Sequence, residues 1–389
     1  MDKTADAVII GGGILGASTA HFLAKRRFGK VVLLEKDALA SASTGHSAAN
    51  VRTYYSNPVT IQLAWRALQM FEHDVEELGG DSGFQQVGFL LLLDESTVDT
   101  GDHILRTEIE TGVEVSDLSV NDVRELAPQL NLNGILRAVY EPRSGYADPV
   151  KTTRSLVEGA KDWGLIAHEG VDATGIRLQG DRVVAVETST GSITTPVVVN
   201  AAGPWGRLVG QWVGVNDSIR WSRETDLVLQ LPGEFGSFPV ISDPALRFYF
   251  RPQDDDKVIA GLGFPKEIEP LDIDNYDEEL DPSSRRRIME PLLKRVPSLR
   301  EAKFLHGWAS LYTITDDWHP LVGAEPDVQG YYDCFGGSGH SFKLGPAIGE
   351  ALADVIAGDT PTIDIRPLRP TRFLEAEPIT SAWGSGNRG

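Results

Sequence analysis

Three glycines near the N-terminus have the spacing of a phosphate-binding turn. Gly11, Gly13 and Gly16 form G-x-G-x-x-G within VIIGGGILGAS, and Glu35 follows 19 residues after Gly16. Gly11 permits a tight turn, Gly13 lets backbone amides approach a pyrophosphate, and Gly16 allows close helix–strand packing. Glu35 is expected to accept hydrogen bonds from an adenosine ribose, and its charge disfavours a 2′-phosphate. The pattern predicts a dinucleotide site that takes FAD or NAD rather than NADP.

The residues around these glycines have the pattern of a strand, a turn and a helix, which would hold the glycines in place. Residues 7–27 read as a short apolar strand, a glycine turn and a helix with apolar residues at helical spacing. Residues 30–37, KVVLLEKD, follow as a second buried strand. Together they predict a βαβ unit with the glycine turn at its first crossover.

Composition and charge argue against several classes of protein. The formal net charge of −20 argues against nucleic acid and anionic membranes, which are bound through Lys and Arg stripes. The single cysteine, Cys334, excludes an internal disulfide and predicts a buried apolar thiol. His306, His319 and His340 form no spaced metal motif, so no metal site is predicted. With no signal peptide and no run of 18 apolar residues in the sequence, a cytoplasmic protein is expected.

Three further segments carry a family resemblance. Small and polar residues follow Glu35 in EKDALASASTGHSAANVR, a strand ends in Asn-Ala-Ala-Gly in VVVNAAGPWG, and a late helix begins at GGSGHSFKLGPAIGE. With the first glycines, these segments resemble the D-amino-acid-oxidase-like flavoproteins, in particular the sarcosine oxidase, glycine oxidase and dimethylglycine dehydrogenase branch. The resemblance covers nearly the whole chain, and it implies FAD as the cofactor.

The resemblance implies an α/β fold, with α+β character in the second domain. A Rossmann-like FAD-binding domain is expected over residues 1–85, 140–215 and 305–389, and an antiparallel-sheet substrate domain over residues 86–139 and 216–304. Alternating strand patterns between about residues 220 and 310 agree with the second domain. FAD would lie extended, with its adenine at the first βαβ unit and its isoalloxazine ring between the domains.

The expected cofactor contacts come from five parts of the chain. The late turn at Gly336, Gly337 and Gly339 would bring amides to the flavin pyrimidine edge, and the following helix N-terminus would favour a reduced, anionic flavin. The full set of expected FAD-binding residues is Gly11, Gly13, Ile14, Leu15, Gly16, Glu35, Lys36, Ser43, Thr44, Gly45, His46, Ser47, Val171, Ala201, Ala202, Gly203, Trp205, Gly336, Gly337, Ser338, Gly339, His340, Ser341, Phe342 and Lys343.

The expected substrate residues are also implied by the resemblance. Arg52 and Lys343 match positions that bind the substrate carboxylate in monomeric sarcosine oxidase, although a surface arginine and a solvated helix lysine are the competing interpretations. Tyr312 either lines the substrate pocket or packs in the core. Tyr249 lies on a predicted strand, and the sequence leaves open which side of that strand faces the pocket. His340 is the histidine expected to matter because it adjoins the flavin turn.

Four positions concern flavin attachment and oxygen use. Ser310 stands where covalent sarcosine oxidases carry the flavin-linked cysteine, so that thioether is excluded. His46 resembles the histidine bonded to the flavin 8α carbon in dimethylglycine dehydrogenases; hydrogen bonding to the cofactor or local packing are the alternatives. Ile259 and Gly263 align with a lysine that promotes oxygen reactivity and an active-site histidine, which argues against rapid use of O2.

The function expected from the resemblance is oxidation of a C–N bond. A secondary or tertiary amine or amino acid of the sarcosine, dimethylglycine or proline type would transfer hydride to flavin N5, giving an imine that hydrolyses. The alternatives are a flavin-bearing subunit of a larger complex, an NAD-dependent dehydrogenase and a non-catalytic binding protein. The expected partners are the amine and either O2 or another electron acceptor, and both homo- and hetero-oligomers remain open.

Overall fold

The computed structural model describes residues 3–233, 235–264, 266–268 and 270–384. Its strands are β1 Ala7–Ile10, β2 Val31–Glu35, β3 Asn50–Val51, β4 Phe89–Asp94, β5 Ser116–Ser119, β6 Ile135–Glu141, β7 Gly145–Tyr146, β8 Ile166–Glu169, β9 Ala173–Gln179, β10 Arg182–Thr188, β11 Gly191–Thr194, β12 Val198–Asn200, β13 Arg220–Gln230, β14 Val240–Asp243, β15 Phe248–Gln253, β16 Lys257–Leu262, β17 Lys303–Ile314, β18 Leu321–Ala324 and β19 Tyr331–Phe335. Its α-helices are α1 Ile14–Lys25, α2 Pro58–Glu72, α3 Asp74–Glu77, α4 Val98–Thr111, α5 Val120–Leu126, α6 Pro149–Lys161, α7 Gly206–Gln211, α8 Pro282–Arg295 and α9 Ser341–Ala357.

The first large sheet is built around β1, as the βαβ pattern predicts. Its order is β18-β19-β12-β1-β2-β8, with parallel pairing except between β18 and β19. All four residues of β1 are buried, because helices cover one face and a small antiparallel sheet of β9, β10 and β11 packs against the other. Helices α1 and α9 pack together over this sheet. The carboxyl ends of β1, β2 and β12 therefore meet at one edge.

The second large sheet has the order β17-β13-β16-β15-β14-β4-β6-β5 and is antiparallel except between β14 and β4. Strand β13 shows how its faces are divided. Leu227 and Leu229 pack in the core beneath α8, whereas Val228 contacts the cluster containing Ala48 from the first domain. Alternate residues of a strand point to opposite faces, so the even-numbered residues of β13 face the first sheet. These two sheets confirm the predicted fold class.

Two of the expected domain boundaries fall inside strands. The boundary at residue 305 lies within β17, which pairs with β13 from Lys303 to Ile314 and so belongs to the eight-stranded sheet to its end. The boundary between residues 139 and 140 lies within β6. Among the described residues, no helix is both long and apolar enough to cross a membrane.

His21 on α1 gives the fold a specific pH dependence. Its side chain is fully buried, its Nδ1 atom lies 2.8 Å from the Leu156 carbonyl oxygen, and burial lowers its pKa to about 4. The unfolded chain binds this proton near pH 6.5, so stability present above pH 6.5 is lost as the pH falls toward 4. The loss from this group is on the order of 3 kcal/mol.

This dependence is tested by unfolding with denaturant across that pH range. The His21→Gln variant should lose less free energy of unfolding than the unmodified chain between about pH 6.5 and 4. The exposed His73, replaced by Gln, is the matched control and should leave the pH dependence unchanged. Equal slopes for all three proteins would contradict the assignment.

Candidate active site

A cavity of about 420 Å³ lies between the two large sheets. We call it the central cavity. Its walls come from the carboxyl ends of β1, β2 and β12, the N-termini of α1 and α9, the middle of β13 and the C-terminal end of β17. Ser43 connects the first domain to β17 of the second sheet, because its hydroxyl donates to the Leu311 carbonyl oxygen at 2.7 Å. One continuous space thus runs from the first glycine turn to the antiparallel sheet.

The first glycine turn leaves no room for side chains. Gly11 has φ +112°, and a Cβ atom there would lie 2.4 Å from the Ala201 carbonyl oxygen. A Cβ atom on Gly16 would lie 1.9 Å from the Gly11 carbonyl oxygen. The backbone amide of Ile14, at the start of α1, donates to Thr44 Oγ1 at 3.1 Å. A bare backbone and a helix N-terminus therefore meet at the cavity wall, which suits a diphosphate.

Glu35 lies on this wall but has protein partners of its own. Its Oε2 atom accepts from the Gly12 amide at 2.7 Å and its Oε1 atom from the Asp37 amide at 2.9 Å. Burial raises the pKa of this carboxyl. Each carboxylate oxygen can accept a second hydrogen bond, so the contact with a ribose stays a prediction. Nearby, the Lys36 ammonium lies 3.5 Å from the centre of the Trp205 ring, and both residues line the cavity.

The late glycine turn closes the opposite end of the cavity. Gly336 and Gly339 have φ +74° and +84°, and Ser338 between them has φ +46°. A Cβ atom on Gly337 would lie 1.6 Å from Ser341 Oγ. Helix α9 begins at Ser341, directly after the turn, so the positive end of its dipole faces the cavity.

Most of the expected cofactor residues line the central cavity. Those on its wall are Gly11, Gly13, Ile14, Leu15, Glu35, Lys36, Ser43, Thr44, His46, Ser47, Val171, Ala201, Ala202, Gly203, Trp205, Gly336, Gly337, Ser338, Gly339, Ser341 and Phe342. Among the described residues that were expected to contact FAD, those outside the lining are Gly16, Gly45, His340 and Lys343. Gly16 instead has the packing role expected of it, against the backbone of Gly11.

The expected substrate residues divide into two groups. Tyr312 lines the cavity, whereas Arg52 and Lys343 are outside its lining. The guanidinium of Arg52 donates to the Tyr54 carbonyl oxygen and lies 4.5 Å from the centre of the Tyr55 ring. Lys343 is buried in the first turn of α9, with 6% of its surface exposed. Carboxylate binding by Arg52 and Lys343 therefore stays a prediction.

His340 is packed behind the late turn rather than on the cavity wall. It is fully buried, and its Nε2 atom lies 2.8 Å from the Trp318 carbonyl oxygen. Its ring lies 5.5 Å from that of Tyr55. This arrangement supports the backbone of the turn and gives His340 no direct contact with the central cavity.

His46 and Ser310 lie on the cavity wall as the flavin-attachment argument requires. The His46 Nδ1 atom lies 3.0 Å from the Ala42 carbonyl oxygen, and the His46 carbonyl accepts from Trp308 Nε1 at 2.8 Å. These contacts are compatible with both a covalent link and a hydrogen bond to the cofactor. Cys334 is fully buried in β19, and burial raises the pKa of its thiol to about 12, in agreement with an inert thiol.

Two acidic residues of β13 on the cavity wall were missed by sequence reasoning. Glu224 and Asp226 lie two residues apart and so share a face. The Tyr249 hydroxyl donates to Asp226 Oδ1, and burial raises the pKa of this carboxyl to about 6. Glu224 forms a buried ion pair with Lys266. The available signal was an acidic pair at strand spacing directly before the apolar run LVLQL.

The residues present fit FAD. The glycine cradle and the N-terminus of α1 suit its diphosphate, Glu35 lies where a ribose would follow, and the late turn offers backbone at the far end. The acidic pair of β13 lines the same cavity as the late turn. This arrangement can bind a small basic molecule next to a redox cofactor.

Comparisons with known proteins agree with this geometry. A family model described as FAD dependent oxidoreductase matches residues 6–355. Human mitochondrial dimethylglycine dehydrogenase is 29% identical over 387 residues, which cover 95% of this chain and 44% of that protein. Mouse mitochondrial sarcosine dehydrogenase is 28% identical over 397 residues, covering 98% of this chain and 43% of that protein. The chain thus spans less than half the length of these curated relatives.

Among solved structures, L-proline dehydrogenase from P. horikoshii is similar to this chain along its full length. The TM-score is 0.90 with 27% sequence identity, and the match covers 97% of this chain and 100% of that one.

Proposed function

We propose that this chain, which belongs to the family of FAD-dependent oxidoreductases, oxidises the C–N bond of a secondary or tertiary amine or amino acid. Sarcosine, dimethylglycine and proline represent the proposed substrate type, in line with the relatives' names. Bound FAD supplies the hydride acceptor, and the resulting imine, or the iminium ion that a tertiary amine gives, hydrolyses in water to an amine and a carbonyl compound. Family membership also favours FAD over the NAD allowed by the N-terminal motif.

The observation that carries this proposal is the Asp226–Tyr249 pair on the wall of the cavity that begins at the glycine cradle. An amine must lose its ammonium proton before its C–H bond can donate hydride. Asp226 is the group placed to accept that proton, because its carboxylate faces the cavity and burial tunes its pKa to about 6. Tyr249 holds the carboxylate through its hydroxyl, and Tyr312 adds an aromatic wall.

We further propose that the electron acceptor is not O2. Ile259 occupies the position that the resemblance aligns with an oxygen-activating lysine, and it is buried against Ala48 and Val228. An apolar side chain there cannot stabilise developing negative charge on oxygen. The relatives reported above carry dehydrogenase names, which agrees with this assignment.

The proposal is tested with purified protein supplied with FAD. Its visible flavin absorption should bleach anaerobically on addition of sarcosine, dimethylglycine or L-proline, and an artificial dye should sustain turnover faster than air. Bleaching without dye turnover would indicate a subunit that passes electrons to a partner. A flavin that stays oxidised with all three amines would contradict the proposal. Acid precipitation of the same sample shows whether the flavin is covalently bound, and loss of that bond in a His46→Ala variant would assign it to His46.

A further inference from the structure

The side chains of three acidic residues, one of them on β19, come together outside the lining of the central cavity. Asp333 lies within β19, Glu325 follows β18, and Asp217 lies in the connection from α7 to β13. One oxygen atom from each of the three lies within 4.8 Å of the other two. We call these residues the Asp333 cluster. It joins β19 and the end of the edge strand β18 in the first large sheet to the segment that leads into the second one.

The charges of Arg372 and Arg207 act on Asp217, but two buried oxygen atoms of the cluster accept no hydrogen bond from the described residues. Asp333 is fully buried, and its Oδ1 atom accepts from Asn200 Nδ2 at 2.9 Å. Its Oδ2 atom is buried with no hydrogen-bond donor among the described residues, and the same holds for Asp217 Oδ2. Buried anionic oxygens are normally paired or bound to a metal ion. The Asn200 amide fixes the Asp333 carboxylate as an orienting group does beside a metal ligand.

We propose that the Asp333 cluster binds one hard divalent cation, of the Ca²⁺ type, through oxygen atoms of Asp217, Glu325 and Asp333. Carboxylate oxygens are the ligands that Ca²⁺ and Mg²⁺ prefer, and oxygens on opposite sides of a Ca²⁺ ion lie roughly 4.8 Å apart. Asp217 and Glu325 are partly exposed, so a hydrated ion has a path to the buried Asp333.

The position of the cluster gives the cation a structural role. Two residues after Asp333, Phe335 lines the central cavity and precedes the late glycine turn. Asn200 is directly followed by Ala201 and Ala202, which also line the cavity. A cation here would fasten both of these cavity-forming segments to the connection that enters the antiparallel sheet.

Protons are the alternative to a cation for neutralising the negative charge of the Asp333 cluster. Burial raises the pKa of Asp217 to about 6, although the charges of Arg372 and Arg207 act to lower it. Burial, followed by repulsion from Asp217, raises the pKa of Glu325 to about 7, and burial with repulsion from Asp217 and Glu325 raises that of Asp333 well above its usual range. If protons alone neutralise the cluster, the Asp333→Asn variant should be at least as stable as the unmodified chain above neutral pH. If a cation does so, the variant should lose the stabilisation that the cation provides.

The experiment uses the FAD-loaded protein, stripped of metal with a chelator and held at constant ionic strength near pH 8. Calorimetric titration with CaCl2 should show saturable binding with a dissociation constant of roughly 1 mM or below. Thermal unfolding should shift upward by about 2 °C at a tenfold excess of Ca²⁺ over the dissociation constant. MgCl2 and MnCl2 are titrated in parallel to rank the ions.

Variants distinguish the site from general attraction to an acidic protein. Asp333→Asn and Glu325→Gln should each weaken Ca²⁺ binding by at least about tenfold, whereas Asp255→Asn, in the exposed β15–β16 loop, should not. Glu325→Gln decides the question if Asp333→Asn fails to fold. No saturable binding, or equal binding by both cluster variants and the control, would overturn the proposal.

Discussion

Replacement of Asp226 by asparagine is expected to lower kcat/KM for amine oxidation by about 10²- to 10³-fold, the usual contribution of a positioned general base. Asparagine keeps the size of the side chain and can still accept a hydrogen bond from Tyr249, but it cannot take a proton from the substrate ammonium. FAD content and thermal stability should change little, because the neutral amide removes a buried charge. Steady-state dye reduction and anaerobic flavin bleaching measure the effect.

The pH profile makes this prediction specific. In the unmodified enzyme, kcat/KM should rise as the pH passes through the Asp226 pKa of about 6, because only the carboxylate form accepts the proton. The Asp226→Asn variant should lack this rise of kcat/KM with pH, the acidic limb of the profile. Tyr249→Phe should keep the limb with a smaller loss of rate, and Asp256→Asn, in the exposed β15–β16 loop, should match the unmodified enzyme. An Asp226→Asn rate within threefold of the original would refute the assignment.

Gly16→Ala is expected to abolish retention of FAD through purification. The added Cβ atom would lie 1.9 Å from the Gly11 carbonyl oxygen, so either α1 or the glycine turn must move. Overpacking of this kind costs about 3 kcal/mol, and here the displaced atoms form the proposed diphosphate cradle. The ratio of flavin to protein and the Tm with and without added FAD measure both effects.

Gly175→Ala is the matched control for this glycine. It lies in β9 of the same domain, and a Cβ atom there would meet only Glu187 Cβ at 3.9 Å, an ordinary contact. The control should retain FAD and unfold near the original temperature. If Gly16→Ala also keeps full flavin content and an unchanged Tm, the close contact between α1 and the turn does not hold the cradle.

The family resemblance of the quoted segments implied the two-sheet fold class, whereas the residues themselves determined the βαβ unit and the two glycine turns. These features are local: backbone freedom at Gly11 or Gly339 and apolar runs such as VVLL act over a few consecutive residues. Cys334 could likewise be assigned as an inert, buried thiol. The segments quoted for the family resemblance also contain most residues that line the central cavity, because strand ends and helix starts fall next to the turns that shape it.

Only the tertiary structure decided which side chains meet across the two sheets. Asp226 and Tyr249 are 23 positions apart and touch because β13, β16 and β15 pair in one register, which also sets which face of β13 looks into the cavity. The Asp333 cluster likewise depends on where β18, β19 and the α7–β13 connection come together. Strand alternation shows that two side chains lie on the same face of a sheet. It does not show which face the other sheet covers, because that depends on packing between distant segments.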